Sequence, residues 1–478
     1  MSKQVRVRFA PSPTGFMHLG NIRAALMNYL FTKQNDGIFV LRIEDTDAQR
    51  NINEAGYEIV EDLKHLGLVY DEGPIVGGKF GPYLQSRRKE IYQKNLNDLI
   101  KNQKVYRCFC TEKELEEMRR KQIEQGKPPR YDRRCLHLSD DQIKEKLSQN
   151  IPFIWRFKIN KDEEQEIDDM ARGKVTFEME NFSDFALTRS DGSFTFMFAN
   201  FVDDWLMNIT HVIRGEDHLS NSAMQAALFE AFAIPLPRFW HLPMICNIDG
   251  KKLSKRDFGF KLEDLKKEGF LSEAVLNYLA IIGASFLDEI QSLDELIKNY
   301  DFSNINSTGA IKYDLDKLLW FNHKWISKLE LKDLLNRVKP FLHDAYPESK
   351  NVDDQKLELL ISKVRGDIKT LNGLTKELKF YFKKPDIDKI KIEEECGTDL
   401  SEKILNLIYK ILNETGLKDK NLFLSKLKEE SKINNIKIKD LFRLIRYLLT
   451  GQFSGIGIND LFEMLDIDVI EQHLSQLK

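Results

Sequence analysis

In the stretch "RVRFAPSPTGFMHLGNIRAALMNYLF", His18 and Gly20 stand at the mouth of a helix predicted to start near Ile22. The step from strand to helix across Pro11–Asn21 presents free backbone N–H groups at the helix amino end, a preformed seat for anionic oxygen. His18 adds a donor, and Gly20 lets a ligand approach the backbone. The chemistry such a seat performs is electrostatic: it holds a phosphate while charge shifts during attack by an acid. A second piece lies more than two hundred residues on. In "DGKKLSKRDFG", at 249–259, Lys252 and Lys255 stand three apart in a glycine-flanked loop with Ser254 between them, so that two ammonium groups and a hydroxyl can reach separate phosphates. Either piece alone could be a capped helix or a basic surface loop; both in one chain point to a nucleotide.

A different chemistry is written in Cys108-Phe-Cys110 and Cys135-Leu-His137. Three thiolates and one imidazole, each pair brought in by a tight turn, make a full tetrahedral set for one Zn²⁺, structural because no position stays open. Cys246 and Cys396 have no such pattern and read as packing residues.

These residues need elements to hold them. Apolar residues alternate from Val5 to Phe9 and run continuously from Ile38 to Leu41, while Ile22, Leu26, Tyr29 and Leu30 recur at helical spacing between them. That is a strand-helix-strand unit opening a doubly wound α/β sheet. The second strand ends in "LRIEDTD", which sets Arg42, Glu44 and Asp45 where a parallel strand opens into its ligand crevice. From about Val105 to Ser190 the chain turns to dense mixed charge, as in an inserted subdomain. "NITHVIRGEDHLSN" then restores a strand carrying Arg214, followed by a helix over about 221–232. Beyond about Trp320 the chain is rich in Lys, Leu, Ile, Asn and Glu, and "LFRLIRYLLTG" shows a 3.6 period ending at a glycine.

The expected architecture is a split Rossmann-type catalytic domain with an inserted subdomain, followed by an all-helical domain. Its predicted parts are a first Rossmann half (1–104), an insert with the zinc site (105–190), a second half (191–248), the lysine loop with a connecting region (249–325) and the helical domain (326–478). With 478 residues, 42% of them apolar, there is material for about three cores. A formal net charge of −3 means that any nucleic-acid surface must be local. No stretch approaches the ~20 apolar residues of a membrane span, and "MSKQVRVRFA" runs into a strand without a signal-peptide core, so a cytoplasmic location with no membrane partner is expected.

The first stretch resembles the HIGH motif, and Lys252–Arg256 ("KLSKR") resembles the KMSKS motif, of class I aminoacyl-tRNA synthetases. Together with "RFAPSPTG", "RIEDTD" and "VIRGEDH" they resemble the bacterial-type glutamyl-tRNA synthetases, a likeness running from the first residues past "LDKLLWFNHKWI". The resemblance implies a glutamate–tRNA ligase (EC 6.1.1.17). Glutamate attacks the α-phosphate of ATP·Mg²⁺, pyrophosphate leaves, and the acyl group passes to the terminal ribose of tRNA(Glu), with tRNA required for activation. His18, Lys252 and Lys255 would be the catalytic groups, and Gly20, Asn21 and Ser254 would join them in binding ATP. Arg8, Ala10, Ser12, Glu44, Phe196, Asn200 and Arg214 would form the glutamate pocket. Glu44 would meet the ammonium and the arginines the side-chain carboxylate. The family also implies a zinc in the acceptor-binding insert, an anticodon-binding helical domain and a monomer.

Rival readings are an enzyme that also charges tRNA(Gln) with glutamate, a glutaminyl enzyme, a small-molecule nucleotidyltransferase and an inactive tRNA-binding paralogue. The chain departs from the family in Asn21 at the fourth HIGH position, Phe196 at a tyrosine position ("FTF"), and Arg443–Arg446 in place of M-P-L-R. Basic runs at 119–122, 130–134 and 436–446, the last with Phe442, are candidate RNA contacts.

Overall fold

The computed structural model describes residues 4–13, 16–46, 55–254, 256–284, 286, 288–304 and 309–477. The chain divides into two compact units, Met1–Leu265 with Ser272–Lys317, and Lys266–Leu271 with Leu318–Lys478.

In the first unit, β1 (Arg6–Phe9) leads through α1 (Leu19–Gln34) to β2 (Ile38–Leu41). β3 (Val105–Cys108) and β4 (Ile154–Phe157) form an antiparallel pair of their own. Then come β5 (Glu164–Asp169), β6 (Gly173–Glu178), α2 (Phe196–Leu206), β7 (His211–Gly215), α3 (Leu219–Ala231) and β8 (Arg238–Leu242). The main sheet has the order β2-β1-β7-β8-β5-β6, with every pair parallel except β5–β6. Its register pairs Arg6–Phe9 with Ile38–Leu41, and Arg214 with His241. All four residues of β1 are buried, as expected of a parallel strand covered on both faces.

Two findings go beyond the predicted outline. The helix after β1 begins at Leu19, three residues earlier than predicted, because His18 caps it. And β5 and β6, inside the stretch 105–190 read as an insert, belong to the main sheet. Their pattern hid this: the buried residues of β5 are Gln165, Ile167 and Asp169, two of them polar.

The second unit is helical throughout its described residues beyond 318. Its helix Ile438–Thr450 buries Leu441, Leu444, Ile445 and Leu448 along one stripe and stops at Gly451, whose φ of 75° a side chain would strain.

Candidate active site

The carboxyl ends of the parallel strands open into a cavity of about 570 Å³. Two distant segments meet at its rim. The Leu19 N–H donates to Phe260 O at 3.0 Å and the Leu262 N–H to Met17 O at 2.9 Å, so the chain after the lysine loop lies against the His18 turn. Arg8, Ala10, Ser12, His18, Gly20, Asn21, Glu44, Phe196, Asn200, Arg214 and Lys252 all line this one cavity. Ser254 does not; its N–H and hydroxyl donate to Asp257 Oδ2 at 2.8 and 3.0 Å, closing a local turn. Lys255 lies outside the described residues.

His18 is held as one tautomer. The Asn21 N–H donates to His18 Nδ1 at 3.3 Å, and Asn21 Oδ1 accepts from the His18 N–H at 3.4 Å, a capping box in which the imidazole plays the usual serine role. With Nδ1 an acceptor, the proton of a neutral ring sits on Nε2. Burial, with Lys252 nearby, lowers the His18 pKa to about 4, and Phe260 stacks on the ring at 5.0 Å between centroids. A Cβ on Gly20 would meet His18 Nδ1 and Cε1 at 3.1 Å, so this position must stay small for the ring to fold back. Lys252 rests on Asp217, Nζ to Oδ2 3.3 Å, both side chains about half exposed or more.

At the other end of the cavity the charges are buried and mutually bound. Arg42, with no exposed surface, donates to Asp204 Oδ1 at 2.7 Å and to Glu44 Oε1 at 3.0 Å. Arg8 Nε donates to Asp204 Oδ1 at 3.1 Å and its Nη1 to Ile213 O at 3.3 Å. Despite burial, Arg8 and Arg42 hold Asp204 below the ordinary carboxylate range. Burial pushes Glu44 up against the pull of the same two arginines. Asn200 Nδ2 donates to Glu44 Oε1 at 2.6 Å and accepts at Oδ1 from Gln225 Nε2, also at 2.6 Å. Beside this group, Arg88 Nε and Asp203 Oδ1, 2.7 Å apart, neutralise each other.

Arg214 differs from Arg8 and Arg42 in having no carboxylate bonded to it. Its Nη2 donates to three neutral acceptors, Ser222 Oγ and Gln225 Oε1, each at 2.7 Å, and His218 O at 3.4 Å. Its Nε and Nη1 are buried without a partner. Burial, reinforced by Arg8, lowers its pKa to about 9, low for an arginine yet still charged at neutral pH. Arg8 is thus bonded to Asp204 and Arg42 to Glu44 and Asp204, whereas the buried Arg214 has no carboxylate bonded to it. Phe196 offers only a ring here, 5.7 Å from that of His218.

Of the predicted metal ligands, the structure gathers Cys108, Cys110 and Cys135, whose sulfurs lie within 4.8 Å of one another, Cys110 and Cys135 at 3.5 Å. His137 is exposed and stands outside this cluster. The group that joins it is Tyr131, its hydroxyl 3.3 Å from Cys108 Sγ and 3.8 Å from Cys110 Sγ, with the Arg156 guanidinium 4.1 Å over its ring. Three thiols at these separations can share one ion. Tyr131, four residues before Cys135, falls outside the C-x-C and C-x-H spacing that marks the predicted ligands.

The basic runs fare unevenly. Arg130 donates to Glu180 O and Arg133 to Asp184 and Ile159 O, so these hold the subdomain together. Arg446 donates to Ile456 O at 2.7 Å and Phe453 O at 3.1 Å, while Arg443 pairs with Glu395. Asp204 and Gln225 lie outside the motifs read from sequence; two adjacent aspartates inside the apolar run "FVDDWL" are the available signal, since buried acids need partners.

Comparison with known proteins matches residues 4–320 to the catalytic domain of class I tRNA synthetases (E and Q) and residues 333–477 to an anticodon binding domain. The chain is 39% identical to a glutamate–tRNA ligase of Sulfurihydrogenibium sp., covering 98% of each chain. It is 38% identical to that of Natranaerobius thermophilus over the full length of both. A crystal structure of a glutamate tRNA ligase from Elizabethkingia meningosepticum, in complex with its amino acid, superimposes with a TM-score of 0.85 at 31% identity, covering 100% of both chains.

Proposed function

This chain belongs to the class I tRNA synthetases (E and Q), and from that premise we propose how its cavity carries out the glutamate–tRNA ligase reaction and which residues do so. The reaction has two steps: glutamate and ATP form glutamyl adenylate and pyrophosphate, and the glutamyl group then passes to the 3′-terminal ribose of tRNA.

The observation that carries the residue assignment is the buried Arg214 guanidinium, bonded only to neutral groups and with two of its donors unpartnered. Glutamate brings a side-chain carboxylate that supplies this guanidinium with its counter-charge. Glutamine brings none, and would leave a buried guanidinium facing an amide, at a cost of several kcal/mol. Arg214 therefore takes the side-chain carboxylate, Glu44 the ammonium, and Ala10, Ser12 and Asn200 the backbone of the amino acid. Arg8 acts mainly through Asp204, to which it is bonded.

No side chain needs to become a nucleophile, because the glutamate carboxylate attacks phosphorus directly. His18 donates from Nε2 to an α-phosphate oxygen without charge of its own, beside the N–H groups at the start of α1. Lys252 exchanges Asp217 for the triphosphate of ATP·Mg²⁺, and Lys255 joins it from the loop. The role is positioning and charge stabilisation.

Cys108, Cys110 and Cys135 would hold one structural Zn²⁺, with the Tyr131 hydroxyl at the fourth corner in place of His137; a closed site of this kind fixes the β3–β4 region and does no chemistry. The second unit would bind the tRNA anticodon. A 340 Å³ cavity there, lined by Lys376, Lys379, Lys383 and Lys384, supports this.

The test is charging of purified tRNA(Glu) and tRNA(Gln) with glutamate and glutamine side by side. The proposal expects glutamate and not glutamine on tRNA(Glu), and fails if glutamine is the better substrate; tRNA(Gln) in the same assay reports whether a second tRNA is accepted.

A further inference from the structure

Behind Arg214 runs a line of hydrogen bonds that none of the sequence motifs contains. Ser222 Oγ, which accepts from Arg214 Nη2, lies 2.9 Å from His241 Nε2, and His241 Nδ1 lies 2.6 Å from Asp169 Oδ2. A carboxylate only accepts, so His241 carries its proton on Nδ1 and accepts the Ser222 hydroxyl proton at Nε2. Every link then has one direction. Asp169 is fixed in turn: Oδ1 accepts from the N–H groups of Ala171 and Arg172, and Oδ2 also from the His241 N–H. Ser222 and His241 have no exposed surface, and Asp169 has 1%.

The spacing is that of a serine nucleophile, its base and its orienting acid. A nucleophile must meet its substrate, however, and this hydroxyl is sealed inside the protein with its oxygen already accepting from Arg214. We infer that Asp169, His241 and Ser222 form a positioning relay that orients Arg214 and is thereby a determinant of glutamate selectivity. An arginine bonded directly to a carboxylate is oriented but also neutralised. Here the anion stands three hydrogen bonds away and the groups touching Nη2 are neutral, so the guanidinium is aimed while its charge stays available to the substrate. The relay starts on β5, in the stretch read from sequence as an insert, so that stretch contributes to the amino-acid site. The inference deepens the reading that Arg214 meets the side-chain carboxylate, and rests on it.

Steady-state charging of tRNA(Glu) by the full chain tests it, with thermal melts to confirm folding. As a control, R214Q must raise the glutamate KM; an unchanged KM there overturns the site reading itself. S222A is expected to raise the glutamate KM at least tenfold and to lower the preference for glutamate over glutamine, with kcat and the ATP KM within twofold. H241N, whose amide reaches Asp169 but not Ser222, is expected to behave as S222A does. H241Q, whose amide oxygen can accept from Ser222, is expected to recover most of the loss. The relay is overturned if R214Q raises the glutamate KM while S222A leaves it within twofold, or if S222A worsens glutamate and ATP parameters alike. Should S222A not fold, the H241N and H241Q pair decides by the same criteria: a difference between them in glutamate KM sustains the relay, and equal values overturn it.

Discussion

The two ends of the cavity are built on opposite plans. At the amino-acid end, Arg8, Arg42, Glu44, Asp204 and Arg214 are each 7% exposed or less, and all are held by hydrogen bonds before any ligand arrives. At the nucleotide end, Lys252 is tied only to Asp217 across 3.3 Å, with side chains 64% and 49% exposed. A buried, prepaired cluster can reject a wrong charge because rearranging it is costly. An exposed ion pair contributes ~0–1 kcal/mol, so the lysine can leave it for a phosphate at little cost. Selectivity and mobility are thus assigned to different ends of one cleft.

If that contrast is right, the largest effect of any single change falls on Arg214. Arg214→Gln leaves the substrate carboxylate without its matching cation, and kcat/KM for glutamate is expected to fall roughly 100-fold, about 2.7 kcal/mol. The ATP KM should change little. A fall shared equally between glutamate and ATP would mean that the two ends are not separate. Lys252→Ala, at the mobile end, is expected to lower the rate of ATP–pyrophosphate exchange in the presence of tRNA about tenfold, ~1.4 kcal/mol, while leaving the glutamate KM within twofold. Lys255→Ala is expected to do at least as much; an unchanged exchange rate for both would remove the loop from the reaction.

A smaller effect sharpens the boundary between the ends, where His18 sits. Asn21→Ala removes one half of the capping box, a loss of about 1 kcal/mol for a helix cap. The expected outcome is a fall in melting temperature of a few degrees and about a fivefold fall in exchange rate, as the His18 N–H loses its acceptor and the turn that carries the ring loosens.

How far this was legible beforehand divides along the same line. β2, and the strand carrying Arg214, could be read because their apolar runs are continuous, and Glu44 and Arg214 because they sit at strand ends where ligands bind. Placing Glu44 and Arg214 in one pocket needed only the crossover logic of a parallel sheet. What held them was not readable. Asp204 looks like one acid in a helix until Arg8 and Arg42 converge on it from two strands. Asp169 sits in "EQEIDD", where polar residues at buried positions hide the alternation of β5. Tyr131 reaches the cysteines through a turn in which Arg133 has a φ of 64°, a backbone choice that spacing does not announce. Residue types announce chemistry, whereas the partners that tune it come from elements far away in the chain.

The smallest expected effect is none at all, and it bears on how His18 works. With its pKa lowered to about 4 by burial and by Lys252, His18 stays neutral throughout the range from pH 6 to 8. An imidazolium would offer the phosphate a full charge, but it would also protonate Nδ1 and lose the Asn21 N–H that caps the helix. The exchange rate should therefore show no inflection near 6.5 from this residue, and an inflection there that vanishes in His18→Asn would refute the neutral donor. Stability provides the other half of the test. The unfolded chain has histidines of ordinary pKa, near 6.5. Groups lowered on folding, His18 and His218 both to about 4, bind more protons unfolded than folded between these values. The stability they contribute is complete above about pH 6.5 and is lost as pH falls toward 4. Thermal melts across that interval should fall with acidification, and less steeply in His18→Asn, even though activity above pH 6 is insensitive to the titration of His18.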